Sequence, residues 1–158
     1  MDALMTKRAF LAGAAMLAEG GRASAARIAA GVVVDVSPLR AKGSWQMADW
    51  IAAWLPGLLA QSFAGRQGGA VVHASINLVT IDSGSPHIGI FRLDSGATDV
   101  IDGAVWLTDA RGRQLARSDL LTTARAPAGG FGDVALTQQR VQALCAQFAY
   151  WAPSRVGL

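Results

Sequence analysis

The sequence is short of several residues on which protein chemistry commonly depends. Its 158 residues include one cysteine (Cys145), two histidines (His73 and His87), one glutamate (Glu19), one tyrosine and two lysines (Lys7 and Lys42). A lone cysteine cannot form an internal bridge, so the chain is no disulfide scaffold. His73, His87 and Cys145 stand outside metal-ligand spacing of one another, and neither HExxH nor CxxC occurs, so neither a metal nor a cofactor is expected. Apart from Glu19 every acid is an aspartate, and these are spread singly, which gives paired-carboxylate hydrolysis little basis. No GxSxG elbow is present. Gly129-Gly130-Phe131-Gly132 precedes a helical pattern without a following lysine, so it reads as a flexible loop capped by Asp133 and not as a phosphate cradle.

Long hydrophobic runs are also missing, although 52% of the residues are hydrophobic. The run AFLAGAAMLA is too short for a bilayer core of about 30 Å, which takes around twenty helical residues. It is preceded by Lys7 and Arg8 and followed by small residues at Ala23 and Ala25, the physical outline of an export signal. Residues 1–25 are therefore expected to be a cleaved signal, with one domain over residues 26–158. Lys7, Arg8, Phe10 and Leu11 also resemble a twin-arginine export signal with lysine in the first basic place. The alternative is an uncleaved N-terminal helix holding the protein at a membrane surface. The formal charge of +3 falls to +2 without residues 1–25, which removes three basic and two acidic side chains. The remaining arginines are scattered and lack interleaved aromatics, so nucleic acid is not an expected partner.

The rest of the chain alternates between two periodicities. Residues 31–39, GVVVDVSPL, read as a short strand stopped by Pro38. Residues 45–63 read as a helix with Ser44 at its N-cap. At 100° per residue Met47, Trp50, Ile51, Trp54, Leu55, Leu58 and Leu59 share a stripe, with Asp49, Ala53, Pro56 and Ala60 opposite. Trp50 and Trp54 are thus expected to be largely buried against a sheet, with Trp45 exposed. Residues 70–81 alternate as a strand, with Val72, Ala74, Ile76 and Leu78 on one face and His73, Ser75 and Asn77 on the other. Residues 82–97 read as a long connection with an apolar patch, IGIF, inside it. Two further strands flank the hairpin signal Asp109-Ala110-Arg111-Gly112, and residues 122–133 read as a second loop. Residues 136–152 read as a closing helix with Val141, Leu144, Cys145, Phe148, Trp151 and Ala152 on its apolar stripe and Pro153 as its stop. The order implies an α+β domain in two layers, with a mostly antiparallel sheet of about four strands and two amphipathic helices on one face.

Gly103, Val105, Leu107, Asp109, Gly112 and Leu115 follow the pattern G-x-V-x-L-x-D-x-x-G-x-x-L. This strand-turn-strand resembles the small α+β domains of Gram-negative envelope accessory proteins: the lipopolysaccharide-assembly lipoprotein, the auxiliary lipoproteins of ABC-type transporters, and the N-terminal domain of the Tol translocation protein. The lipid-bearing cysteine of the two lipoprotein types is absent from the signal region. The resemblance implies binding and assembly without a catalytic residue.

The expected function is accordingly an exported, periplasmic, non-catalytic envelope protein that binds a protein or a lipid-like partner. His87, Phe91 and Trp45 are the candidate binding residues. A different class, a small exported enzyme, would use His87 with Ser83 or Ser85 and Asp82 or Asp94, although the serines fill turn positions that favour them for backbone reasons.

Overall fold

A computed structural model describes residues 31–82, 97–126 and 133–158. The signal residues Lys7, Arg8, Phe10 and Leu11, the candidates His87 and Phe91, and the Gly129–Gly132 loop lie outside the described residues.

The chain forms an α+β domain with the order β1 (Val32–Asp35), α1 (Ser37–Ala41), α2 (Trp45–Ser62), β2 (Val71–Thr80), β3 (Ala97–Thr108), β4 (Gln114–Ala126) and α3 (Val134–Arg155). The strands lie in sequence order across one sheet. β1 runs parallel to β2, joined to it through α1 and α2, and the other two pairings are antiparallel. The mostly antiparallel four-stranded sheet expected from the sequence is therefore present.

One face of the sheet forms the core. Val32 and Val34, Val72, Ala74, Ile76 and Val79, Ile101, Val105 and Leu107, and Leu120 are buried against Ile51, Leu55 and Leu59 of α2 and Val141, Leu144, Cys145 and Phe148 of α3. These side chains recur every second residue in the strands and every third or fourth in the helices, the two periods read from the sequence. Burial pushes the Cys145 thiol up to about 12.

Several elements depart from expectation. Pro38 does not merely stop β1; it sits in the first turn of α1, where its missing N–H has no helical partner to lose. Ser44 holds the N-cap place of α2 without a side-chain bond. The buried stripe of α2 is Ala48, Ile51, Leu55, Pro56 and Leu59, rotated from the expected one. Trp50 and Trp54 stack on each other at 6.5 Å and are only half-buried at the margin of the core, while Pro56 faces inward. Contact with α3 as well as with β1 turns the small and aliphatic side chains of α2 toward its neighbours and displaces the bulky indoles to the flank.

In β2 a register shift between Ile76 and Leu78 carries Leu78 to the solvent side and Val79 into the core. A bulge of this kind inserts one residue and inverts the alternation beyond it. Gly103 is paired with Ile76 beside the shift, and a Cβ there would lie 2.3 Å from the Ser75 carbonyl oxygen. Lys42 Nζ donates to the Asn77 carbonyl at 2.8 Å.

β4 continues through Ala126, so residues 122–126 are strand and not loop; their antiparallel partners are Ala97 to Ile101. α3 runs past Pro153 to Arg155, since a proline near the end of a helix interrupts only the bond to the preceding turn. Trp151, expected on the apolar stripe, is 46% exposed. The hairpin and the cap follow expectation. Asp109 Oδ1 accepts from the Arg111 and Arg113 backbone N–H groups at 2.9 Å, Gly112 takes φ 78°, and Asp133 accepts from the Ala135 and Leu136 N–H groups.

Candidate functional site: the uncovered face of the sheet

Among the described residues the three helices lie with the apolar side of the sheet, and alternation sends the other half of the strand residues to the opposite side. There β2, β3 and β4 place His73, Trp106 and Arg117 side by side, since His73 pairs with Trp106 and Trp106 with Arg117. The imidazole and indole rings are nearly parallel at 6°, with centroids 5.2 Å apart. The Arg117 guanidinium carbon lies 5.3 Å from the Trp106 ring centroid, within cation–π range. His73 Nε2 meets Thr108 Oγ1 at 2.9 Å.

Partial burial lowers the His73 pKa from its usual 6.5, because desolvation disfavours the imidazolium. The ring is therefore neutral at pH 7 and acts as a flat apolar surface with a polar edge. On the same side Leu115 follows Arg117 along β4, and Leu78 and Leu121 flank Asp102 two rows along the sheet; the three leucines are 53%, 43% and 61% exposed. Such a strip can hold a flat or aliphatic group by contact and orient it with Arg117. Within the described residues the ring contacts Trp106 and Thr108.

Trp45, the one candidate binding residue within the described residues, is 58% exposed, as expected. It sits at the start of α2, where the Arg40 guanidinium carbon lies 6.0 Å from its ring centroid and Arg40 pairs with Asp49 at 2.6 Å. It is thus an ordered helix-end tryptophan in the helical layer, not a member of the sheet-face strip. Sequence reasoning placed His73 on the polar side of its strand and did not single out Trp106 or Arg117. The readable signal was the odd-even phase, which places all three on the polar-facing side once the registers are known.

A second polar cluster lies beneath the helices. Arg140 of α3 makes a bidentate pair with Asp99 of β3, through Nε to Oδ2 at 2.8 Å and through Nη2 to Oδ1. Arg140 Nη2 also donates to the Asp82 carbonyl, and the Asp82 N–H donates to Asp99 at 3.0 Å. Asp99 is fully buried and Arg140 nearly so. The cluster ties together the start of β3, the chain after β2 and the first half of α3, and its role is structural.

The described residues form an α+β domain whose sheet has one helix-covered face and one that they leave open. No protein-family model matches the chain, and no curated protein matches it. Among solved structures it is similar to a protein of Caulobacter crescentus CB15 described as a candidate lipoprotein, with TM-score 0.39 and 15% identity over 75% of this chain and 80% of that one. It is also similar to a minor lipoprotein of Acinetobacter baumannii, with TM-score 0.38 and 8% identity over 78% and 90% of the two chains. Superpositions this loose do not define a shared fold. The resemblance to envelope accessory domains therefore rests on the hairpin pattern, of which Gly103 and Gly112 have definite structural reasons here: close backbone approach and positive φ.

Proposed function

We propose that this is an exported, non-catalytic protein of the periplasm that binds an envelope protein or a lipid-like ligand on the uncovered face of its sheet. The observation that carries the reading is a sheet face that holds the His73, Trp106 and Arg117 stack together with the exposed leucines Leu78, Leu115 and Leu121. Large apolar side chains and an aromatic–cation stack gathered on one side of a sheet supply the contacts that an interaction surface needs. The basic, apolar and small-residue succession of residues 1–25 supports export. Among the described residues no helix is long and apolar enough to cross a membrane.

Two measurements test this. N-terminal sequencing of native protein from the periplasm is expected to start near Ala26; recovery from the cytoplasm starting at Met1 removes the export reading. A photocrosslinker at Leu121 is expected to trap a partner or a lipid in cells, and one at Gln61, on the exposed side of α2, is expected to trap far less. Equal trapping at both positions removes the sheet face as the binding surface.

A further inference from the structure

Among the described residues β4 has a neighbour on one side only, β3. A free edge usually carries a device that discourages pairing: brevity, a proline, or charge that a copy of the same strand would repel. β1, at the other edge, spans only Val32–Asp35 and leads directly into a proline-bearing helix. β4 spans Gln114–Ala126 without proline. Its charges follow a special order. Leu115, Arg117, Asp119 and Leu121 alternate onto the open face, and all four are exposed.

We infer that β4 pairs antiparallel with β4 of a second copy of this chain, about a two-fold axis at Ser118. In that register Arg117 faces Asp119 of the second copy, Asp119 faces Arg117, and Leu115 and Leu121 face each other across both ends. Directly opposed side chains lie about 4.5–5.5 Å apart at Cβ, where opposite charges attract and aliphatic pairs pack. The register is unique among its neighbours. Sliding the strands by one step either way that preserves antiparallel bonding puts Asp119 against Asp119 or Arg117 against Arg117 on the axis.

The helix-side face adds an independent observation. Thr122 is nearly buried, and its Oγ1 has no hydrogen-bond partner. It opens into a cavity of about 220 Å³ lined by Leu120 to Thr123 of β4 and by Trp151 and Arg155 of α3. The register shift at Leu107/Thr108 turns Gln114 to the open face with Thr108, so the regular edge available for pairing runs from Leu115 onward and has Thr122 at its margin. A buried hydroxyl left unpaired is costly, and this one stands on the edge strand itself. The inference goes beyond the proposed ligand binding and does not depend on it.

The test is sedimentation of the full chain over a concentration series, with Arg117→Asp and Asp119→Arg. Wild type is expected to be a concentration-dependent dimer. Each variant puts two like-charged contacts on the symmetric interface and is expected to weaken it by about tenfold or more. Mixing the two variants restores both opposite-charge contacts in a heterodimer, so the equimolar mixture is expected to dimerise where neither variant alone does. Unchanged circular dichroism establishes that the variants fold. A wild type that stays monomeric up to high micromolar concentration, a dimer indifferent to both reversals, or a mixture as monomeric as its components would each overturn the proposal.

Discussion

The two faces of this sheet are built from the same strands and obey different rules. On the helix side every strand contributes fully buried aliphatic residues, and the charges admitted there, Asp99 and Arg140, are locked to each other with two hydrogen bonds. On the open side Arg117 stands over a ring, leucines are exposed, and one histidine is only partly desolvated. A polar substitution costs most where water cannot follow it. The covered face is thus where stability is held, and the open face is where sequence is free to specify contact with something else.

Substitutions on the two faces can break or sharpen that contrast. The largest effect is expected from Arg140→Met, which strands a buried carboxylate; loss of one member of such a pair costs about 3–5 kcal/mol, read as a fall in the denaturant midpoint. A loss below 1 kcal/mol would mean that water reaches Asp99 and that the covered face is less dry than described. Gly103→Ala forces a Cβ against the Ser75 carbonyl at 2.3 Å, and an overpacked site of this kind costs about 1–3 kcal/mol by thermal unfolding. On the open face Trp106→Ala is expected to cost only about 1 kcal/mol, the worth of a ring stack and an exposed cation–π contact. It should nevertheless abolish crosslinking at Leu121. If it unfolds the protein instead, the strip belongs to the core.

The smallest effect concerns protonation. Because the folded His73 pKa lies below 6.5, the unfolded chain takes up a proton first as pH falls. The stability that rests on the neutral ring is present above pH 6.5 and declines as the pH drops through 6.5 toward the folded value. Melting temperatures of wild type and His73→Gln should diverge in that window, with the shallower pH dependence in the variant. Parallel curves would show that the ring is as hydrated as any surface histidine.

Much of the architecture was legible because period and punctuation agree in it. The hairpin at Asp109 to Gly112, the Asp133 cap and the apolar stripe of α3 each follow from residues within a few positions of one another. What escaped prediction depends on distant partners. The rotation of α2 that displaces Trp50 and Trp54 is set by α3, and the length of β4 beyond Leu121 is set by its pairing with the start of β3. The bulge at Asn77 has no strong local mark in β2; its counterpart is Gly103, on another strand. Arg140 did leave a trace, as a lone cation on the apolar stripe of α3, a position that only a buried anion makes tolerable. The stack of His73, Trp106 and Arg117 needed the register of three strands, which no single segment contains. His87 and Phe91, assigned to the connection of residues 82–97, lie outside the described residues.

Cys145 gives the fold a clock of its own. Burial pushes its thiol pKa up to about 12, so at pH 7 the sulfur stays protonated, and it is the thiolate that attacks disulfides. While folded, the chain therefore behaves toward oxidants and thiol reagents as though it had no cysteine. Once α3 lifts from the sheet the same sulfur reacts at the rate of an ordinary thiol. The kinetics of labelling this single atom thus count the openings of the core, from inside an oxidising compartment if need be, without any added probe.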